Sequence, residues 1–317
     1  MDVSSPNSSQ SKNNPAQAGA QLSERPLYPH APYLEGNYAP ILSEDPGSPL
    51  KLIEGEFPID LRGVFVRNGA NLKYRPEGRH HWFDGDGMLH AVHIENGQAT
   101  YRNRFVRTAA YLAEDAEGKS LWKGVTERPD FTNPRGPLKD TSNTDVVFHN
   151  GKLLTTWYLS GKPYAVNPMT LETEGATRFG SFKKISAHPK VDPVTGEMVI
   201  FDYNPLPPFF TMGVLSKSGE LIHSTEIPFE GPRLQHDIAI TRNHTIVMDL
   251  SMMWDPDLLK KGETRVGFFR DKPTRFGVIP RFGNADAIKW FETPACFMYH
   301  TINAWEEGDD IVMMGCR

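Results

Sequence analysis

The chain has 317 residues, with 34 Lys and Arg against 39 Asp and Glu for a formal net charge of −5, so it lacks the basic face that nucleic-acid binding requires. Its 38% hydrophobic content supports a packed core and excludes global disorder, while 27 Gly and 26 Pro disfavour a bundle of long helices. Only two cysteines are present, Cys296 and Cys316, which excludes a secreted disulfide scaffold and fits a reducing compartment.

Residues 1–22 are rich in Ser, Asn, Gln and Pro and read as a disordered tail. With no apolar core and no Arg, this stretch is neither a signal peptide nor a good transit peptide, and a cytoplasmic address is expected. Residues 23–317 are expected to form one domain. It opens with a Pro/Tyr-rich arm, Arg25–Ile41, extended because proline blocks regular structure.

From about Leu50 the pattern becomes short strands broken by tight turns. Gly63–Gly69 is an apolar run expected to close at Asn68-Gly69. Hairpins are expected around Asn96-Gly97, Asn150-Gly151, Thr195-Gly196 and Ser218-Gly219, and near Asn243, because residues with positive φ let a two-residue turn follow the strand twist. Pro256–Gly262 reads as one helical turn in an otherwise strand-like chain; Asn204–Phe210 and Asp271–Ala287 read as long Pro-rich loops. Repeated hairpins without crossover helices indicate an all-β sandwich, barrel or propeller.

Three of the 11 histidines share a setting at a strand boundary: His188, His236 and His300. They lie 48 and 64 residues apart, roughly one propeller blade of about 40–50 residues. Equivalent positions on successive blades point at one axis, where neutral imidazoles would form a site suited to Fe, Cu or Zn. Taken singly, each histidine reads more readily as a packed, hydrogen-bonded strand end. His80, His81, His90 and His93 form a denser cluster around Asp84-Gly85-Asp86-Gly87. The glycine spacing fails the calcium-loop pattern, and a tight Asp/Gly turn is the expected structure. Serine-hydrolase, P-loop and dinucleotide-binding words are absent.

The words Phe65–Asn71 (FVRNGAN), Trp82–Val92 (WFDGDGMLHAV), Ser186–Met198 (SAHPKVDPVTGEM), Gln235–Thr241 (QHDIAIT), Thr274–Arg281 (TRFGVIPR) and Ile288–Glu307 (IKWFETPACFMYHTINAWEE) resemble the carotenoid cleavage dioxygenase family. The resemblance covers most of residues 36–317, in the family's order. It implies a seven-bladed β-propeller with Fe(2+) on its axis, held by four histidines and no carboxylate. His188, His236 and His300 match the first three ligands. None of the 17 residues after His300 is a histidine. A mean ligand spacing of 56 residues leaves room for about five blades, so an incomplete propeller is expected, with sub-stoichiometric iron and little cleavage.

The implied activity is oxidative cleavage of a conjugated C=C bond by O2. The substrate would be an apolar polyene (a carotenoid or apocarotenoid), or alternatively a stilbene-like alkene. Phe209, Phe210, Trp254, Phe297 and Tyr299 are the candidate tunnel or entrance walls. Leu206–Leu215 could instead be a peripheral membrane contact or a buried strand. The family's outer-sphere glutamate would fall within Gly151–Tyr164, where Trp157 and Tyr158 stand. Tyr158 is a candidate substitute for it. A truncated remnant without iron is the reading from another class, and a generic interaction propeller is a third.

Overall fold

The computed structural model describes residues 34–255, 257–258, 261 and 266–317. The expected tail, most of the Pro/Tyr-rich arm and the helical turn over Pro256–Gly262 lie outside the described residues, apart from isolated positions. Two compact units are distinguished, Met1–Ser43 and Glu44–Arg317. In the first, the described residues include one 3-10 turn, Gly36–Tyr38.

The second unit is a succession of antiparallel sheets. Strands β1 (Asp45–Pro49), β2 (Gly63–Asn71), β3 (Asp86–Glu95) and β4 (Gln98–Phe105) pair in the order β1-β4-β3-β2. After helix α1 (Ala109–Glu117) come β5 (Asp145–His149), β6 (Lys152–Thr156), β7 (Tyr164–Val166) and β8 (Thr173–Ala176), paired in chain order. The third sheet is β9 (Lys190–Val191), β10 (Met198–Tyr203), β11 (Phe210–Leu215) and β12 (Leu221–Glu226), again in chain order.

The fourth sheet begins with β13 (Ala239–Ile240) and β14 (His244–Asp249). A side hairpin follows, β15 (Met252–Trp254) with β16 (Val266–Phe268), before β17 (Thr274–Pro280) and β18 (Lys289–Thr293) complete the order β13-β14-β17-β18. A two-stranded sheet, β19 (Thr301–Glu307) with β20 (Asp310–Gly315), comes last.

The Asn-Gly hairpins form where expected. Asn96 and Gly97 take φ of 53° and 70°, and Asn150 and Gly151 take 46° and 74°, the left-handed pair that a type I′ turn needs. Asn68-Gly69 does not turn. Strand β2 runs through it to Asn71, because the Asn68 amide donates to the carbonyls of Ser142 and Asp145 on the next sheet, and this tertiary pairing overrides the local turn signal. The run Asp271–Ala287 is likewise not a loop throughout. It contains β17, paired on both edges with β14 and β18, and its proline at 280 stands at the strand end, where a missing N–H is tolerated.

Helix α1 was not signalled by hydrophobic periodicity. Local chemistry specifies it: the Thr108 hydroxyl accepts from Tyr111 N, and Gly118 closes the helix in the left-handed conformation at φ 68°.

The core is divided among neighbouring sheets. Its largest cluster joins Val199, Phe201, Phe210 and Met212 of the third sheet to Val247 and Ile279 of the fourth. A second cluster joins Leu89 and Ala91 to Leu153 and Val166. Buried charges also tie sheets together. Arg281, 3% exposed, pairs with Asp192 at 2.9 Å and Glu197 at 3.4 Å and donates to the Thr241 carbonyl. Among the described residues, no helix is long and apolar enough to cross a membrane.

Candidate metal centre

The three sequence-selected histidines occupy one structural position repeated in three sheets. Each stands one to three residues ahead of the strand that opens its sheet: His188 before β9, His236 before β13 and His300 before β19. Their ligand nitrogens all lie within 4.8 Å of one another, and they are the one such group of His, Cys, Asp or Glu among the described residues. The ring centroids are 4.7, 4.7 and 4.8 Å apart, so the trio is nearly equilateral.

The Nε2 atoms of His188 and His236 face each other at 3.2 Å. Two neutral imidazoles can satisfy that approach with one shared proton. A cation held by the lone pairs of the three rings would resolve it as well. An all-imidazole donor set of this kind suits a borderline first-row ion such as ferrous iron.

The electrostatics disfavour charge on two of these rings, His236 and His300. His236 is 9% exposed, and burial, assisted by the neighbouring His188 and His300, drives its pKa down to about 3. Burial, then His188, lowers His300 too, although its side chain is 55% exposed. Neutral imidazole is the form that ligates a metal.

Two carboxylates that sequence reasoning did not assign hold the trio in place. Asp145 Oδ2 lies 3.2 Å from His188 Nδ1 and accepts from His188 N at 3.1 Å. Burial works to raise the Asp145 carboxyl, but the hydrogen bonds from His188 and Val146 and the charge of Lys190 prevail and hold it below the usual carboxylate range. Asp237, 1% exposed, takes Lys190 Nζ on Oδ1 at 2.5 Å and Thr301 N on Oδ2 at 2.9 Å. It therefore joins the three sheets that carry the ligands. Neither acid has a local sequence signal; the nearest was the adjacency of His236 and Asp237.

The aromatic candidates separate into two groups. Phe210 and Trp254 are core residues at 0% and 8% exposure, with Phe209 packed against the same cluster. Phe297 and Tyr299 lie on the segment entering β19. The Tyr299 ring stands edge-on to His236 at 5.6 Å, with Phe297 edge-on to Tyr299 at 4.7 Å. Within Leu206–Leu215, the strand Phe210–Leu215 is buried except at Thr211, and Leu206 is exposed.

Tyr158 packs on Phe83 and Trp157, with centroids 4.9 and 5.6 Å away. It helps line a small cleft with Tyr74, Trp122, Lys139 and Trp157. The cluster around His80–His93 makes no metal group. His81 Nδ1 accepts from Phe83 N, and His90 Nδ1 bonds the Tyr101 hydroxyl. A 3-10 turn at Trp82–Asp84 leads directly into β3.

Comparisons with known proteins identify the family. The family model described as "RPE65: Retinal pigment epithelial membrane protein" matches residues 38–317. A carotenoid 9,10(9',10')-cleavage dioxygenase of Crocus sativus is 39% identical over 90% of this chain and 56% of its own length. An isoeugenol monooxygenase of Pseudomonas nitroreducens is 34% identical over 82% of this chain and 55% of its own. The chain thus spans a little over half the length of these curated relatives.

Among solved structures, a Pseudomonas brassicacearum lignostilbene dioxygenase superposes with a TM-score of 0.81 at 33% identity, covering 90% of this chain and 61% of that one. A cobalt-substituted apocarotenoid oxygenase of Synechocystis superposes at 0.74 and 27% identity, covering 86% of this chain and 61% of that one. The four four-stranded sheets and the two-stranded last one are therefore, among the described residues, blades of an incomplete β-propeller. By the match over residues 38–317 and the likeness to these relatives, the chain belongs to the RPE65 family of carotenoid cleavage oxygenases.

Proposed function

We propose that this chain supplies three ligands of a non-haem Fe(2+) dioxygenase that cleaves a conjugated C=C bond of a carotenoid or apocarotenoid, with O2, into two carbonyl products. The observation that carries the reading is the convergence of His188, His236 and His300 from the same position of three sheets. When bound by these three residues, ferrous iron would supply the capture and activation of O2.

The chain's own residues do the remaining work. Burial keeps the His236 imidazole neutral, and the Asp237 network fixes the three sheets relative to one another. Tyr299 and Phe297 offer an apolar wall beside His236, against which a polyene is positioned rather than chemically activated. Phe209, Phe210 and Trp254 act behind this wall, as packing that holds the third and fourth sheets.

Stilbene-like alkenes are the second substrate class, favoured by the superposition on a lignostilbene dioxygenase. A cytoplasmic setting accords with two free cysteines, and the exposed Leu206 tip offers a small peripheral contact with a membrane.

The test is anaerobic loading of the purified chain with Fe(2+), followed by 18O2 and either an apocarotenoid or a stilbene. Labelled aldehyde or ketone products from one substrate are expected, at the low turnover that sub-stoichiometric iron allows. Failure to take up iron would instead identify a non-catalytic remnant of the family.

A further inference from the structure

The second sheet offers a carboxylate close to the position where three other sheets offer an imidazole. Strand β5 opens that sheet, and its first residue is Asp145. Asp145 Oδ1 accepts from Val146 N at 2.7 Å, which fixes the carboxylate plane. Asp145 Oδ2 reaches across to the third sheet, where it meets both the backbone N–H of His188 at 3.1 Å and the ring Nδ1 at 3.2 Å. On the reading that the trio holds a metal, we propose that Asp145 is the positioning residue of the His188 ligand.

The chemistry follows from the atoms. An ionised carboxylate only accepts hydrogen bonds, so Nδ1 of His188 carries the proton and Nε2 keeps its lone pair. That Nε2 faces His236 Nε2 at 3.2 Å. The bond to Nδ1 thus selects the ligating tautomer, orients the ring and raises the basicity of the nitrogen that meets the metal.

The backbone bond has a separate purpose. His188 adopts φ 63°, a left-handed conformation disfavoured for a residue with a Cβ and retained only where the surroundings impose it. One oxygen therefore holds both the unusual backbone and the ring. Asp145 pairs in register with Thr156 of β6, directly before Trp157 and Tyr158. The outer carboxylate sought after Gly151 is absent from that strand, and one is present on its neighbour.

The experiment titrates the metal-free 317-residue chain with Co(2+), following its visible absorption, alongside thermal melts of the metal-free protein. Wild type, Asp145→Asn and Asp145→Ala are compared. Asp145→Asn is nearly isosteric, keeps one acceptor oxygen and loses the charge. Cobalt affinity is expected to fall about 10–100-fold in Asp145→Ala and less in Asp145→Asn, with altered cobalt bands in both. Unchanged affinity and bands in both variants, even with a lowered melting temperature, would overturn the proposal and leave Asp145 a purely structural role. If the wild type itself binds no cobalt, the metal reading fails first and this inference falls with it.

Discussion

Lys190 on β9 and Asp237 before β13 form a short ion pair, Nζ to Oδ1 at 2.5 Å, with the Asp237 side chain 1% exposed. Because Thr301 of β19 bonds the other oxygen through both its N–H and its hydroxyl, at 2.9 and 3.0 Å, a single carboxylate links the sheets that present His188, His236 and His300. Replacing it removes the partner of a partly buried ammonium. Asp237→Ala is expected to destabilise the protein by about 2–3 kcal/mol, less than a fully buried pair because Lys190 keeps some access to water. Urea denaturation monitored by tryptophan fluorescence measures this.

Arg281 spans the third and fourth sheets with the two Nη atoms of its guanidinium. Nη1 serves Asp192 and Nη2 serves the Thr241 carbonyl, a use of the planar fork that a lysine cannot reproduce. Arg281→Met is expected to lose about 3–5 kcal/mol by stranding Asp192, and Arg281→Lys to recover less than half of it. Equal stability of Arg281→Lys and wild type in the same denaturation assay would contradict the role given to the fork.

These ties were not legible beforehand, and the contrast with what was is physical. Asn96-Gly97 and Asn150-Gly151 announce hairpins because their residues tolerate positive φ and flank alternating strands. The histidine spacing also survives, because blades repeat along the chain and carry like positions to one axis. Asn68-Gly69 misleads, since its amide is recruited by carbonyls 74 and 77 residues away. Asp145 and Asp237 carry no local pattern; their roles arise when strands remote in sequence meet. Phe210 and Trp254 read equally as tunnel or core from composition, and only packing separates the two.

That separation is measurable. Phe210 is fully buried and stacked between Phe201 and Phe229 at 5.4 and 5.0 Å. Phe210→Ala is expected to destabilise by about 3–5 kcal/mol while metal affinity in the surviving folded protein stays unchanged. Tyr299 is 53% exposed, so Tyr299→Ala is expected to change stability by less than about 1 kcal/mol yet to alter the spectrum of a metal bound at His236. Thermal melts and cobalt spectra of the two variants together check both expectations.

Glu306 on β19 makes the stability of the last hairpin pH-dependent. The Thr241 hydroxyl, His244 Nδ1 and both nitrogens of Asn243 donate to it. The bond from Thr241 first, then those from His244 and Asn243 against opposing burial, pull its pKa from 4.5 to about 2. A depressed carboxylate stabilises the fold fully above its unfolded pKa and loses that contribution as pH falls through the folded one. The wild type is therefore expected to lose stability relative to Glu306→Gln between about pH 4.5 and pH 2. Parallel melting curves for the two proteins across that interval would contradict this.

The account rests on three imidazoles sharing one metal ion, and X-ray absorption at the iron edge of anaerobically loaded protein addresses that most directly. For the wild type, outer-shell scattering characteristic of three coordinated imidazoles is expected, with one ring lost in His188→Ala, His236→Ala or His300→Ala. Iron surrounded by oxygen donors alone, or a spectrum indifferent to all three substitutions, would contradict it.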